Sequence, residues 1–547
     1  MTRAIRPLPW AAVAVVIAVL ALALLHRGGP AYGALDVNRT DDPAPNGCTP
    51  EPGGCSLREA IIAANAVPST PDTINLAGGF YQLSRGVINE NAADSGDLDI
   101  LNNLTYINGA GSCCTVIDGG NLDRVFQVFL GKTVQITGLA ITNGRVNPGQ
   151  GGAITAPTSS TVTLDSVVIA TNEANDGGGI WNAGALTIVN STIADNTAYG
   201  TGGGILNGDS TASLSMAAST IRGNIAGGVG GGGLANAHIA NLTNVTVSDN
   251  YSTNGGGGGG GIYNYTTTDL NLNNVTISHN TSTSANRGGG IRNTNSASTE
   301  LKNTIVASNS GGGGNCSTGV GDSPLTSWGH NLDSTTTCGF VAAGDINNGN
   351  PNLGPLANNG GPAYTRALLP GSQAIDTGDN NGCPPVDQRF VTRPQGAACD
   401  IGAYEFGTAP TPAPTPAPTP SPTHTPVPPP LPNSDNDGDG WTYGSENLIG
   451  TDPADACGHL AWPADLVSQG TSTNKLDISD LAGFVAPLRR LGTSPGHPNY
   501  DKRWDIVPGA AVGAAINLTD VAALLSGPTA YPPMFGGARA YSQTCSP

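Results

Sequence analysis

The chain has 547 residues, including 79 glycines and 41 prolines, and only 11% of its residues are charged. The formal net charge of −18 argues against a nucleic-acid-binding surface, which requires clustered Lys and Arg. The low charge content argues against generic disorder, which usually combines low hydrophobicity with high net charge. The length favours several domains. The glycines do not follow a Gly-X-Y period, which excludes collagen.

Residues 1–34 have the layout of a secretory signal peptide. Arg3 and Arg6 precede an apolar run from Trp10 to Leu25, and small residues follow it. The alternative is an uncleaved N-terminal anchor, although a run of 16 residues is slightly short for a membrane-spanning helix. We therefore expect a secreted or cell-surface protein.

A short helix is predicted soon after the signal peptide. Ser56 and Glu59 have the spacing of a capping box, in which each side chain bonds the backbone N–H of the other residue. Leu57, Ile61 and Ala64 would share one face of this helix. We expect that face to lie across the N-terminal end of the next domain, with residues 35–134 forming a cap and the first coils.

A repeated unit occupies residues 135–325. An apolar, β-branched stretch ends in Asn, a variable loop follows, and a glycine run is closed by an apolar residue. The recurring asparagines are Asn172, Asn196, Asn224, Asn250, Asn280 and Asn309. The apolar residues that close the glycine runs are Ile154, Ile180, Ile205, Leu234, Ile262 and Ile291. A period between 20 and 50 residues indicates stacked repeats.

The side chains in the repeat favour a right-handed parallel β-helix, an all-β solenoid. Glycine runs oppose helical repeats, whereas short segments rich in Val, Ile and Thr are typical of strands. Three short strands and their turns use about 20–30 residues, which is one coil. The aliphatic residues would stack inside, and the asparagines would form a ladder with a step of about 4.8 Å. A disordered Gly/Asn-rich segment, the alternative, does not explain the regular aliphatic positions.

Two segments resemble a known family. Cys55 to Ile61 reads CSLREAI and resembles the CSLREA segment that begins a family of secreted bacterial β-helix proteins. Residues 350–406 contain NPNLGPLANNGGPAYTRALLPGSQAID, VDQR, RPQG and CDIGAYE, and resemble the choice-of-anchor region that ends such proteins. The Gly-Gly-Gly-Ile units resemble those of polymorphic outer-membrane proteins. The resemblance implies that residues 326–407 form the C-terminal end of the β-helix.

A linker follows at residues 408–432, where 12 of 25 residues are proline. Proline fixes φ and removes a backbone donor, so we expect an extended polyproline-II spacer about 75 Å long.

Residues 433–456 contain an EF-hand-like calcium loop. Carboxylates occupy loop positions 1, 3 and 5, and a glycine at position 6 allows the sharp turn. The backbone carbonyl of the next residue can also bind the metal ion, and a glutamate at position 12 completes the ligand set. The proposed ligands are Asp435, Asp437, Asp439, Trp441 and Glu446, and the proposed cofactor is Ca²⁺. The alternative is an acidic linker end without a metal.

Residues 457–547 contain a duplication with a period of 40 residues. The two copies resemble the paired calcium half-motifs of dockerins, which bind cohesin modules, and imply a small, mainly α module. The loops depart from that pattern, because the first three ligand positions fall in QGTSTN and GAAVGA. Metal binding and helix capping therefore remain alternatives for Asp465, Asp480, Asp505 and Asp520.

The ten cysteines are expected to form structural disulfides, since export exposes them to oxidising conditions. Sequence proximity suggests the pairs Cys48–Cys55, Cys316–Cys338 and Cys383–Cys399, while Cys457 and Cys545 bracket the C-terminal region. The adjacent Cys113 and Cys114 do not fit simple local pairing.

The sequence nominates no catalytic residue. Acidic residues in the repeats are scattered, and Asp195 and Asp249 precede ladder asparagines about two coils apart. We therefore expect a non-catalytic surface protein that contacts a carbohydrate or another cell-surface ligand and is attached through its tail to a cohesin-like or cell-envelope partner. The alternative is a polysaccharide lyase or glycoside hydrolase, which an acidic cleft with a nearby Arg would favour.

Overall fold

The computed structural model describes residues 34–407 except 50, 52, 67–71, 87–89, 103–104, 254–257, 267–268 and 318–320. Over these residues the chain winds into a right-handed parallel β-helix, so the predicted all-β fold class is confirmed. Successive coils pair through parallel strands, which in the column from Thr133–Thr137 to Ser213–Arg222 keep a continuous register. With the exception of residues 78–80, all of the described residues belong to one compact unit of the chain.

Sheet 1 contains twenty strands within the described ranges and forms two adjacent columns. The first column consists of Ala34–Val37, Asp72–Leu76, Thr105–Asn108, Thr133–Thr137, Thr161–Asp165, Ala185–Val189, Ser213–Arg222, Ile239–Ser248, Asp269–Asn273, Ser298–Lys302 and Thr326–Ser327. The second column consists of Gly79–Gln82, Thr115–Asp118, Ala140–Thr142, Val168–Ala170, Thr192–Ala194, Thr276–Ser278, Ile305–Ala307, Leu332–Asp333 and Ile346–Asn347. The two ten-residue strands, Ser213–Arg222 and Ile239–Ser248, run through both columns.

Two further parallel sheets complete each coil. Sheet 2 has eight described strands: Leu98–Ile100, Phe126–Val128, Ile154–Ala156, Ile180–Asn182, Ile205–Asn207, Leu234–Asn236, Ile262–Asn264 and Ile291–Asn293. Sheet 3 has six described strands: Arg145–Gln150, Glu173–Asp176, Thr197–Ala198, Ile225–Ala226, Tyr251–Ser252 and Thr281–Ser282. Outside the coils, Leu353–Ala357 pairs antiparallel with Thr365–Leu368.

The core is a set of aliphatic columns parallel to the helix axis. The six aliphatic residues that close the glycine runs are fully buried and occupy the first position of successive sheet 2 strands. Sheet 1 adds columns such as Leu164, Ile188, Met216 and Leu242. Each buried aliphatic side chain contributes roughly 2 kcal/mol by its removal from water.

The predicted asparagine ladder, which we call the first ladder, is observed at the turn between sheets 1 and 3. The Nδ2 of each asparagine donates to the Oδ1 of the next at 2.9–3.0 Å, from Asn172 through to Asn309. The same Oδ1 also accepts the backbone N–H of the preceding ladder asparagine, one coil earlier. Asn315 extends the ladder by accepting from Asn309. The ladder thereby satisfies backbone groups that the buried turn would otherwise leave without partners.

The residue before each ladder asparagine adopts a left-handed backbone conformation. This position is Asp195 (φ 56°), Gly223 (φ 63°), Asp249 (φ 60°) and His279 (φ 58°) in four successive coils. Glycine, Asp and Asn tolerate this conformation better than other residues. The two aspartates that precede ladder asparagines are therefore turn residues.

A second ladder, which was not predicted, lies at the end of the sheet 2 strands. It consists of Asn182, Asn207, Asn236, Asn264 and Asn293, all buried. Their side-chain amides bond in series at 2.7–3.1 Å. Each coil is thus joined to the next by amide ladders at two separate turns.

The one helix among the described residues, α1 (Leu57–Asn65), covers the N-terminal end as predicted. Both hydrogen bonds of the Ser56–Glu59 capping box are present. The helix contacts the strands Ala34–Val37, Asp72–Leu76 and Leu98–Ile100. Its buried face protects the open end of the aliphatic stack from water.

Residues 350–406, which we call the side segment, lie along the flank of the solenoid. Thr220, Asn244 and Thr276 of successive coils bond to residues of the side segment at 2.6–3.0 Å. Residues 326–407 therefore divide into two parts. The first part, up to Asn347, continues the stack of strands. The side segment covers polar side chains of sheet 1 that face outward.

Four disulfides join cysteines of the described residues. Cys48–Cys55, Cys316–Cys338 and Cys383–Cys399 are the pairs that sequence proximity suggests. The fourth joins Cys113 to Cys114, which corrects the expectation that these adjacent cysteines do not pair locally. The two residues occupy a turn before the strand Thr115–Asp118, and adjacent thiols there are the nearest partners for each other.

Several predictions lie outside the described residues. These are the signal peptide up to residue 33, the linker, the calcium ligands Asp435 to Glu446, the duplicated module with Asp465, Asp480, Asp505 and Asp520, and the cysteines Cys457 and Cys545. Among the described residues, no helix has the length and hydropathy that crossing a membrane requires.

Candidate binding cleft

The outer face of sheet 2 presents one row of side chains. Each strand has three residues, and its middle residue points away from the aliphatic core. Parallel register places Asp99, Gln127, Thr155 and Trp181 side by side on four successive strands. Since neighbouring strands are about 4.8 Å apart, the row places a carboxyl group, an amide, a hydroxyl group and an indole ring beside one another.

A cleft of about 620 Å³ opens over this row. Its apolar lining includes Phe129, Leu130, Pro148, Pro157 and Trp181. Its polar lining includes Arg124, Gln127, Gln150 and Thr155. This combination of aromatic rings with a few directed polar groups is typical of small-molecule binding sites.

One wall of the cleft comes from an irregular strand. Arg145–Gln150 is the longest strand of sheet 3, and its register to Glu173–Asp176 shifts between Val146 and Gln150. Extra residues in one strand bend it away from its partner. The bend brings Pro148 and Gln150 against the row on sheet 2.

Arg124 connects the cleft to buried carboxyl groups. Its Nε lies 2.8 Å from Oδ2 of Asp97, and its Nη1 donates to the Gln150 carbonyl at 3.4 Å. Of the described residues that line the cleft, Arg124 carries the only formal charge. The ion pair holds the guanidinium in a fixed position at the cleft wall.

Behind Arg124 lies the carboxyl cluster, which comprises Glu90, Asp97, Asp99 and Asp123. The three aspartates are at most 4% exposed. Burial, reinforced by Asp123, raises the pKa of Asp97 to about 7, although Arg124 opposes the shift. Burial and the charge of Asp97 raise the pKa of Asp99 to about 8, and burial also raises the pKa of Asp123. Desolvation therefore dominates over the single nearby cation.

The CSLREA-like motif supports this region structurally. Arg58 is buried and forms a two-point ion pair with Asp42 at 2.7 and 3.1 Å. Its guanidinium also donates to the carbonyls of Ala93, Gly96 and Asp97. The motif arginine thus fixes the backbone that carries Asp97 into the cluster.

The motifs of the side segment also form a buried polar network. Arg389 pairs with Asp387 at 2.8 Å, and its guanidinium lies 3.5 Å from the ring centroid of Tyr404. Arg393 pairs with Glu405 at 2.8 Å. All four charged groups are buried, so VDQR and CDIGAYE hold the side segment together at a distance from the cleft.

The acids of the repeats do not converge on a site. Asp195 pairs with Arg222 at 3.0 Å and Asp249 pairs with Arg366 at 2.9 Å. Among the described residues, no three Asp, Glu, His or Cys side chains are arranged to hold a metal ion.

The carboxyl cluster lies before the repeats, so the acidic residues of the repeats gave no indication of it. A signal was present before the repeats, since NENAADSGDLDI between Asn89 and Ile100 contains four acidic residues. Asp123 joins them only through the coil geometry.

Comparisons with known proteins give one similar structure. The crystal structure of pectate lyase Pel9A is similar with a TM-score of 0.39 and 15% sequence identity, over 69% of this chain and 97% of that chain. No family model matches the chain, and the search of curated proteins finds no match.

Proposed function

We propose that this protein is secreted or displayed on the cell surface and that its β-helix binds an extracellular glycan in the cleft without cleaving it. The observation that supports this proposal is the half-buried ring of Trp181 beside the side chains of Gln127 and Thr155, on one row of sheet 2.

The lining of the cleft suits a sugar ring. A pyranose has an apolar face of C–H groups, which packs on an aromatic ring, and an edge of hydroxyl groups, which bond to amides and guanidinium groups. Trp181 and Phe129 supply aromatic surface, while Gln127, Gln150 and Arg124 supply directed donors. A cleft of about 620 Å³ lies within the range of about 300–1,000 Å³ for small-ligand sites, and accommodates a short stretch of a glycan.

The Trp181→Ala variant tests the proposal. A glycan array with the parent protein identifies the ligand, and calorimetry then measures its affinity for both proteins. We expect at least about a tenfold loss of affinity, because one aromatic stacking contact is worth about 1 kcal/mol or more. Trp328→Ala is the matched control, since Trp328 is 41% exposed and lies outside the cleft. Equal affinities for parent and Trp181→Ala would refute the assignment of the cleft.

Glycan cleavage is the second candidate function, and the position of the carboxyl cluster favours it. Asp97 lies beside Arg124 at the cleft wall, and the raised pKa of Asp97 suits a proton donor. The parent protein should be assayed on polyuronates and neutral glycans, with and without Ca²⁺. If the parent protein releases product and the Asp97→Asn variant does not, the function of the cleft is catalysis and not binding alone.

The C-terminal region extends the proposal beyond the described residues. Carboxylates at Asp435, Asp437 and Asp439, together with Glu446, have the spacing of a calcium loop, and we propose Ca²⁺ as the cofactor. The duplicated module after Cys457 is proposed to attach the protein to a cohesin-like or cell-envelope partner.

Export from the cell fits the four disulfides, since such bonds persist in oxidising compartments.

A further inference from the structure

Two carboxyl groups of the cluster lie against each other. Glu90 and Asp99 are within hydrogen-bonding reach, and Asp99 is fully buried. Its Oδ2 accepts the backbone N–H of Ala93 at 2.8 Å. Among the described residues, no group donates to Oδ1 of Asp99 or to Oε1 of Glu90, although both oxygens are buried.

A proton supplies the missing hydrogen bond. Two ionised carboxylates in contact repel each other, and a buried acceptor without a donor costs about 1–3 kcal/mol. If one carboxyl group is protonated, its O–H donates to the other and both oxygens are satisfied. We propose that Glu90 and Asp99 share one proton, and that this proton locks residues 90–97, the cover segment, against sheet 2 at the end of the cleft.

The cover segment also positions two polar groups of the cleft. Asn91 Oδ1 accepts from Nε2 of Gln127 at 3.0 Å, and Asp97 pairs with Arg124. Both partners line the cleft. The inference rests on the proposed function only for its consequence: opening of the cover segment releases Gln127 and Arg124 and weakens glycan binding.

Charged groups of several elements surround the pair. Asp97 and Asp123 add negative charge, and Arg124 is the nearby cation. Arg58 approaches from α1, but its charge is paired with Asp42 and it binds the carbonyls of the cover segment. The excess of carboxyl groups over cations favours retention of a proton.

The direction of the pH dependence follows from linkage. The pKa of Asp99 is raised to about 8 in the closed state, whereas an exposed Asp has a value near 4. Between these values, opening releases a proton, so the opening equilibrium constant rises with pH. The increase is up to about tenfold per pH unit and levels off above about pH 8, where the closed state has also lost the proton.

Hydrogen exchange of the full chain tests the lock without any ligand. Exchange of cover-segment amides is followed from about pH 5.5 to pH 9 and corrected for the intrinsic chemical rate. In the parent protein we expect protection to fall by at least about tenfold between pH 6 and pH 8. In Asp99→Asn, whose amide can donate to Glu90 at every pH, protection should change little above about pH 7, where Asp97 with its pKa of about 7 has also lost its proton. Glu90→Gln removes the repulsion from the other side and serves as a second variant.

Asp195→Asn is the control, because Asp195 belongs to a distant turn and its variant should follow the parent. Protection that is independent of pH in the parent, or an equal pH response in parent and Asp99→Asn, would overturn the proton lock. Affinity for the glycan should weaken over the same pH range in the parent and in Asp195→Asn, but much less in Asp99→Asn. If exchange behaves as expected while no glycan binds, the lock stands and the proposed function fails.

Discussion

Arg366 donates from Nη2 to both carboxylate oxygens of Asp249 at 2.9 Å, although the two residues are 117 positions apart. Its Nε also donates to Ser248 Oγ at 2.8 Å. The side segment is thereby attached to the turn that begins one rung of the first ladder. The arginine is nearly buried, so water does not readily replace these contacts.

Replacement of Arg366 by Met should therefore weaken attachment of the side segment. We expect the free energy of unfolding to fall by about 2 kcal/mol, since hydrogen bonds to charged groups contribute about 1.5–3 kcal/mol. Thermal unfolding measures the loss, and limited proteolysis should cut within residues 350–406 sooner.

Arg222→Met is the matched control for this variant. Arg222 pairs with Asp195 at the equivalent turn two coils earlier, but both side chains are substantially exposed. We expect a loss of about 0.5 kcal/mol or less, because exposed ion pairs contribute little. Equal losses in the two variants would contradict the role assigned to Arg366.

The first ladder should be most sensitive near its middle. Asn224 accepts from the backbone and the side chain of Asn196, and donates to Asn250 and to the carbonyl of Ile193. Asn224→Ala leaves several buried groups without partners, so we expect a loss of about 4 kcal/mol in urea unfolding followed by circular dichroism.

Asn271→Ala provides the control for the ladder. Asn271 also stacks on an asparagine of the previous coil, with Nδ2 2.9 Å from Oδ1 of Asn241, but on the outer face of sheet 1. Water can replace that contact, so we expect a loss of about 1 kcal/mol or less. If both variants unfold at the same urea concentration, burial of the ladder does not govern its contribution.

Calcium binding at the tail is tested by Asp437→Ala in the full chain. The substitution removes the carboxylate at the third position of the loop, so we expect weaker Ca²⁺ binding in calorimetry and a smaller Ca²⁺-induced increase in melting temperature. Asp455→Ala, outside the twelve-residue loop, should behave as the parent. A Ca²⁺ response that is unchanged in Asp437→Ala would count against the loop.

The fold was accessible from the sequence because it depends on residues that repeat. Ile180 and Ile205 recur in step with Asn196 and Asn224, and a stack of coils is the structure that aligns both sets. The second ladder was equally visible, as Asn two positions after each aliphatic residue in GIWN, GILN, GLAN, GIYN and GIRN.

The cleft and the carboxyl cluster could not be predicted in this way, since their residues do not repeat. Asp97 and Asp123 come from separate segments before the regular coils and meet only through the winding of the chain. One wall of the cleft depends on the register shift after Val146, which occurs in a single strand. Irregular features of this kind leave no period in the sequence.

The two amide ladders affect how the number of coils in the β-helix can change during evolution. Every coil between them ends in the same pair of polar rungs, while the loops that separate the rungs differ in length from coil to coil. A gene segment that encodes one unit can therefore be copied in tandem, and its product enters the stack with both neighbours unchanged. Outside the coils that the side segment contacts, an added coil requires no new interface.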